Sequence, residues 1–328
     1  MLEVIETREL IELHDVEGIV RGTYHKTHAV TLDSQSNQSK EHRVGILFVN
    51  SMSPTRAANG DAAVYLADSF AERGYPSFRI DLPGFGDSDG DPAPDLHSFV
   101  NLGGYGAITS AKIGQLVARF NLTGVIIVGQ CAGAVSAIHA AAASKECKGL
   151  VLMGPYFHLP QGKTPAKPRE QVNPWYATGR FGKIWVSAST LHKKIRSFLH
   201  KNSPPQNANF ALLRLWKQVA SKGLPILVLS VPDRKASGVK GKAVEFDYLK
   251  YARELAGRKS RVVAKVADGA NQSFSNRPGR ESVRHHVELW LNACFPVKDQ
   301  LQQKMSALQV GRSEVEHQRE TREDYLYQ

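Results

Sequence analysis

The sequence has only three cysteines, Cys131, Cys147 and Cys294, too few and too scattered for a disulfide framework or a C-x-x-C metal pair. A reducing, intracellular compartment is the default for such a chain. No apolar run approaches the roughly 20 residues that cross a bilayer. The acidic start "MLEVIETRELIELHD" has no basic patch followed by an apolar core, so no secretory signal is expected. These absences point to a cytoplasmic protein. There is no P-loop, no cluster with metal-ligand spacing and no internal repeat, so neither a nucleotide nor a metal cofactor is expected.

What is present suffices for a large folded core, with 328 residues of which 42% are hydrophobic. The formal charge of +11 is concentrated in one place, because residues 156–222 hold twelve Lys or Arg against one acid, Glu170. The remainder is neutral. A neutral body with one basic segment argues for a local docking surface for something anionic rather than general adhesion to nucleic acid, and no nucleic-acid module accompanies it.

Strand-length apolar runs recur at 45–49, 77–80, 125–128, 149–153, 225–229 and 261–266, with helix-length segments at 61–73, 103–119, 132–144 and 243–257 between them. Alternation of this kind, with strands apolar on both faces, predicts an α/β fold whose mainly parallel sheet is covered by helices. Residues 17–31 would add antiparallel edge strands. The basic segment 156–222 interrupts the alternation with six of the sixteen prolines and with Trp175, Trp185 and Trp216, as an inserted helical lid over the carboxyl edge of the sheet would. Residues 297–328 read as a terminal helix followed by a charged tail, leaving 1–155 and 223–296 as the core.

Three motifs carry the chemistry. "LFVNSM" at 47–52 is a strand followed by a small polar turn. "RIDLPGFGDSDG" at 79–90 sets Asp81, Gly84, Gly86 and Ser88 just past a strand. "VGQCAGA" at 128–134 places Cys131 between Gly129-Gln130 and Ala132-Gly133, ahead of an alanine-rich helix. Together they resemble the α/β-hydrolase fold family, whose nucleophile elbow has the form G-x-S-x-G and whose preceding motif is D-x-x-G-x-G-x-S. Residues 40–155 and 223–295 carry the likeness. "VNS", the cysteine elbow and "DGANQSFS" look more narrowly like the exosortase-A-system-associated hydrolases.

The resemblance implies that Cys131 is the nucleophile of an acyl transfer. A sulfur at a helix N-terminus would have its thiolate favoured by the dipole and free N–H groups. The oxyanion donors would be the N–H of Ala132 and that of Met52, with Ser51 beside it; Asn50-Ser51 stands where the family has His-Gly. Asp233, after the late strand "PILVLSVPD", is the expected triad acid, with Asp268 as its rival. The base departs from the family: in G-x-x-H-x-F this chain has Gln272, which can orient a hydrogen bond but cannot take a proton near neutral pH. Among the histidines, His139 lies about 12 Å along the elbow helix and out of reach, and His285 and His286 fall on a late helix. His97 and His158 start from the correct sheet edge, and His158 is the better substitute base.

Two functions follow. One is a thiol-dependent hydrolase or acyltransferase for an ester or thioester, with an acyl carrier protein, a CoA tail, an acidic saccharide or an anionic membrane surface at the basic lid. The other is a degenerate hydrolase fold that binds a ligand or partner without turnover.

Overall fold

The computed structural model describes residues 7–15, 18–27, 43–50, 52, 55–159, 204, 207–232 and 247–297. Among them, the strands are β1 (Arg8–Asp15), β2 (Gly18–His25), β3 (Val44–Val49), β4 (Ser77–Ile80), β5 (Gly124–Gln130), β6 (Cys147–Met153), β7 (Ile226–Ser230) and β8 (Val262–Val266). The helices are α1 (Ala62–Glu72), α2 (Leu96–Asn101), α3 (Gly104–Arg119), α4 (Ala132–Ala143), α5 (Phe210–Ser221), α6 (Tyr248–Ala256) and α7 (Arg277–Cys294). The strands form one sheet in the order β1-β2-β4-β3-β5-β6-β7-β8. From β4 to β8 every pairing is parallel, while β1 and β2 form an antiparallel hairpin that pairs antiparallel with β4.

Period-two alternation of buried residues explains why helices cover both faces. Val125, Ile127, Leu150 and Leu152 pack with Ile113 and Leu116 of α3, Val135 and Ile138 of α4, and Leu212 and Trp216 of α5. Ile126, Val128 and Val151 point the other way, onto Leu66 and Phe70 of α1 and Val283, Val287 and Leu291 of α7. No described helix is long and apolar enough to cross a membrane.

The expected edge strands are present, and the hairpin begins earlier than residues 17–31, at Arg8. The lid boundary requires correction. Phe210–Ser221, inside the segment assigned to the lid, is the crossover helix between β6 and β7; Asn209 caps it by accepting from Leu212 N at 3.0 Å, and Trp216 is core. Of that segment, residues 160–203, 205 and 206 lie outside the described residues. The backbone on either side of them is joined: Leu159 N donates to Asn207 O at 2.7 Å and Asn209 N to Phe157 O at 2.8 Å, so the chain leaves and returns at one point. The helical lid expected in that segment and the terminal helix and tail from 298 onward lie outside the described residues.

The turn after β4 is built around a buried carboxylate. Asp81 accepts from the Arg56 main-chain N–H and guanidinium and, at 3.2 Å, from Asp87 N. The same guanidinium reaches Asp87 at 2.7 Å. Ser88 Oγ donates to Asp81 O at 2.7 Å and accepts from Arg21 N at 2.8 Å. Gly86 sits at φ 52°, and a Cβ there would lie 2.3 Å from the Asp81 carboxylate, so only glycine fits. The glycine at this position therefore shapes a turn around the carboxylate.

Candidate active site

Strand β5 ends at Gln130, helix α4 begins at Ala132, and the residue between them makes the entire reversal. Cys131 takes φ 49° and ψ −111°, a conformation that costs a non-glycine residue about 1–3 kcal/mol. Hydrogen bonds hold it there: its N donates to Met153 O at 2.8 Å, and its O accepts from Ala134 N at 3.0 Å and Val135 N at 3.3 Å. The crossing is so close that a Cβ at Gly129 would lie 2.3 Å from Gly133 O, which accounts for small residues on both sides of the thiol.

The thiol opens on a cleft of about 1740 Å³ at the carboxyl edge of the parallel strands. Among its lining residues are Met52, Cys131, Ala132, Tyr156, His158 and Gln272. Most of the expected site residues are thus brought to one cavity. Gln130 lines it as well, and its Nε2 donates to Ser273 O, tying the elbow to the loop that carries Gln272. Ser51 and Asp233 lie outside the described residues. Met52 has φ 64° in the turn after β3. That turn is anchored from below: Asn50 Nδ2 donates to Arg56 O at 3.3 Å, and Arg56 is bound to Asp81.

The loop after β8 is stiff for a segment without secondary structure. Asn271 Oδ1 accepts from Ser275 N at 2.8 Å, Asn271 Nδ2 donates to Ser275 Oγ at 2.9 Å, and Asn276 Nδ2 donates to Gly269 O at 2.7 Å. Phe274, at φ 52°, buries its ring beneath the loop. Gln272 is exposed at the cleft-facing side of this frame, and Asp268 is exposed at its start without lining the cleft.

His158 and His97 both line the cleft. The His158 ring lies 5.7 Å from that of Tyr156 and 5.4 Å from that of Tyr248. His139 is packed against α3, where a Cβ on Gly106 would come within 2.3 Å of its own Cβ, and His286 meets Val266 O at 3.1 Å; neither lines the cleft.

Burial pushes the Cys131 thiol above its ordinary range, opposing the lowering expected from the helix terminus alone. The sequence reading also missed Tyr156, three residues past the end of β6. Its hydroxyl is buried with no hydrogen-bond partner among the described residues. Its only sequence signal was an aromatic pair in "GPYFH", after a strand whose end faces the pocket.

Residues 53–225 match the family described as the alpha/beta hydrolase fold. The chain belongs to that family. Solved structures agree at the level of the fold. An esterase from Pyrococcus furiosus is 15% identical, with 88% of this chain and 91% of that one covered and a TM-score of 0.53. The mouse alpha/beta hydrolase domain-containing protein 10 is 13% identical, with 87% and 99% covered and a TM-score of 0.50. No curated protein matches the chain. Cys131 stands between the central strand β5 and helix α4, and Gln272 lies on the loop after β8, the last described strand.

Proposed function

We propose that this α/β-hydrolase is a thiol-dependent acyl-transfer enzyme. The observation that carries the reading is Cys131 itself, a residue held at positive φ between β5 and α4 with its side chain on the cleft. Strain of this kind persists where the surrounding structure imposes it, and it is understandable here as presentation of a nucleophile. The Cys131 sulfur attacks the carbonyl carbon of an ester or thioester. A C–S bond forms, the bond to the leaving alcohol or thiol breaks, and the thiol proton ends on that leaving group. The N–H groups of Ala132 and Met52 hold the oxyanion, with Ser51 adjacent. Gln272, with Asp233 as the acid of the set, orients the acceptor; without a histidine it favours an acceptor more nucleophilic than water. His158 is the substitute base.

Cleft-lining Lys250, Arg253 and Lys265 support an acyl group delivered on an anionic carrier, either an acyl carrier protein or CoA, with the basic insertion beyond Leu159 as its lid and the cytoplasm as its compartment. The competing reading is a pocket that binds without turnover, favoured by Gln272 and by the burial that keeps Cys131 protonated. Intact-mass measurement after incubation with activated acyl esters separates the two. One acyl group added to the wild type and none to Cys131→Ala is the expected result; an unmodified wild type refutes the enzymatic reading.

A further inference from the structure

Tyr156 presents a physical problem that the mechanism above does not use. Buried polar groups are nearly always hydrogen-bonded, and one left alone lowers stability relative to an apolar residue of the same shape. The Tyr156 hydroxyl is fully enclosed, lacks a partner among the described residues, and belongs to a side chain that lines the cleft beside Cys131. Phenylalanine would fill the same space without that cost, so the hydroxyl calls for a partner that arrives with the substrate.

Its place in the sheet says which part of the substrate that is. Strand β5, which leads into Cys131, lies between β3 and β6. The turn after β3 carries Met52, and the segment after β6 carries Tyr156. The end of β6 lies directly against the thiol: Cys131 N binds Met153 O, and a Cβ at Gly154 would be 3.9 Å from Cys131 Sγ. A tetrahedral carbon on the sulfur that turns its oxygen toward the β3 side has its other two substituents toward β6. One is the acyl chain, all carbon at that point, and the other is the leaving oxygen or sulfur. Only the second can accept from a phenol, and the near neighbours Pro155, Phe157 and Val228 offer the acyl chain an apolar wall.

We infer that Tyr156 is a catalytic residue whose O–H donates a hydrogen bond to the leaving atom of the ester or thioester. This rests on the acyl-transfer reading of Cys131. Burial, with a smaller contribution from neighbouring Cys131, pushes the Tyr156 phenol up to about 12, so it is a neutral donor through the physiological range. The phenol keeps its proton; the one that ends on the leaving group is the proton lost by Cys131.

The test is Tyr156→Phe in the full-length chain, read as the first-order rate of Cys131 acylation by intact mass. The two acyl donors share one acyl group, a 4-nitrophenyl ester and an ethyl thioester. The nitrophenolate departs without help, whereas the thiolate needs it. The thioester rate falls roughly tenfold, a typical effect of one lost hydrogen bond to developing charge, and the aryl ester rate changes less than about twofold. Thermal stability stays level or rises, because the hydroxyl has no hydrogen-bond partner among the described residues. Equal losses on both donors, no loss on either, or a destabilised variant overturns the role of Tyr156 while leaving Cys131 as nucleophile. Failure of both donors to acylate the wild type overturns the nucleophile reading, and this inference with it.

Discussion

Two turns at the same edge of the sheet, one after β4 and one after β5, treat polar groups in opposite ways. Around Asp81 nearly every donor and acceptor is engaged: Arg56 binds it through backbone and side chain, Asp87 N adds a third donor, and Ser88 ties its carbonyl to Arg21. Around Cys131 the backbone is strained, the thiol is desolvated at the cleft wall, and the Tyr156 hydroxyl has no hydrogen-bond partner among the described residues. The first turn spends its polar residues on holding the chain, and the second holds them in reserve. The contrast explains how a motif can be prominent in sequence without being chemical. In "DLPGFGDSDG", Gly86, Asp81 and Asp87 are demanded by the Arg56–Asp81 ion pair, and their contribution to the site is indirect, through Arg56 and the turn that carries Met52.

Breaking the satisfied turn has the largest effect. Asp81→Ala leaves the Arg56 guanidinium with Thr23 and its exposed partner Asp87 and frees two main-chain N–H groups, which costs about 3–5 kcal/mol. Urea denaturation reads this directly, and a loss under 1 kcal/mol would show that the turn is not held by its carboxylate. Completing the unsatisfied site comes next. Gln272→His restores a proton acceptor on the stiff loop after β8 and accelerates release of the acyl group from Cys131 by about 100-fold, the lower end of what a positioned base contributes. Decay of the acyl-enzyme mass after excess ester is removed measures it; no acceleration means that the loop and the thiol are not aligned as a hydrolase pair. Smaller again is Cys131→Gly, which removes the thiol and relieves φ 49° together. Its stability lies within about 1 kcal/mol of wild type, since relief of strain offsets the lost burial and the added chain entropy. An equally central residue of the Asp81 turn gives no such tolerance.

The fold was legible in the sequence because parallel strands buried on both faces are continuous apolar runs; all six runs became strands, although the last, β8, is an exposed edge strand. The tight turn around Cys131 was legible because its geometry leaves no room for a side chain at Gly129. Two things were hidden. The lid boundary was drawn from charge, and charge does not distinguish an insertion from an amphipathic crossover helix whose outer face is solvated; Arg214, Lys217 and Lys222 belong to α5 or its cap, with Trp216 facing the core. Tyr156 was hidden because no local pattern records whether a hydroxyl has a partner. That depends on residues brought together from β5, β6 and the loop after β8, and so appears only in three dimensions.

The smallest expected effect concerns how far burial alone tunes a thiol. Cys131 and Cys147 are both raised by desolvation, Cys147 up to about 12, yet only Cys131 opens on the cleft. In each case the unfolded chain gives up its proton first. Any stability these thiols contribute is therefore present below the ordinary cysteine value and is lost as pH rises from there toward the folded one. Alkylation by iodoacetamide, followed by peptide mass, separates them. The Cys131 rate climbs with pH and inflects above the ordinary cysteine value of about 8.5, while Cys147 stays unmodified for as long as the protein is folded. If the Cys131 inflection instead falls below that value, the helix terminus outweighs burial, and the thiolate is present without a base. That outcome would move Gln272 from a deficit the enzyme works around to a residue whose replacement of histidine costs the first chemical step nothing.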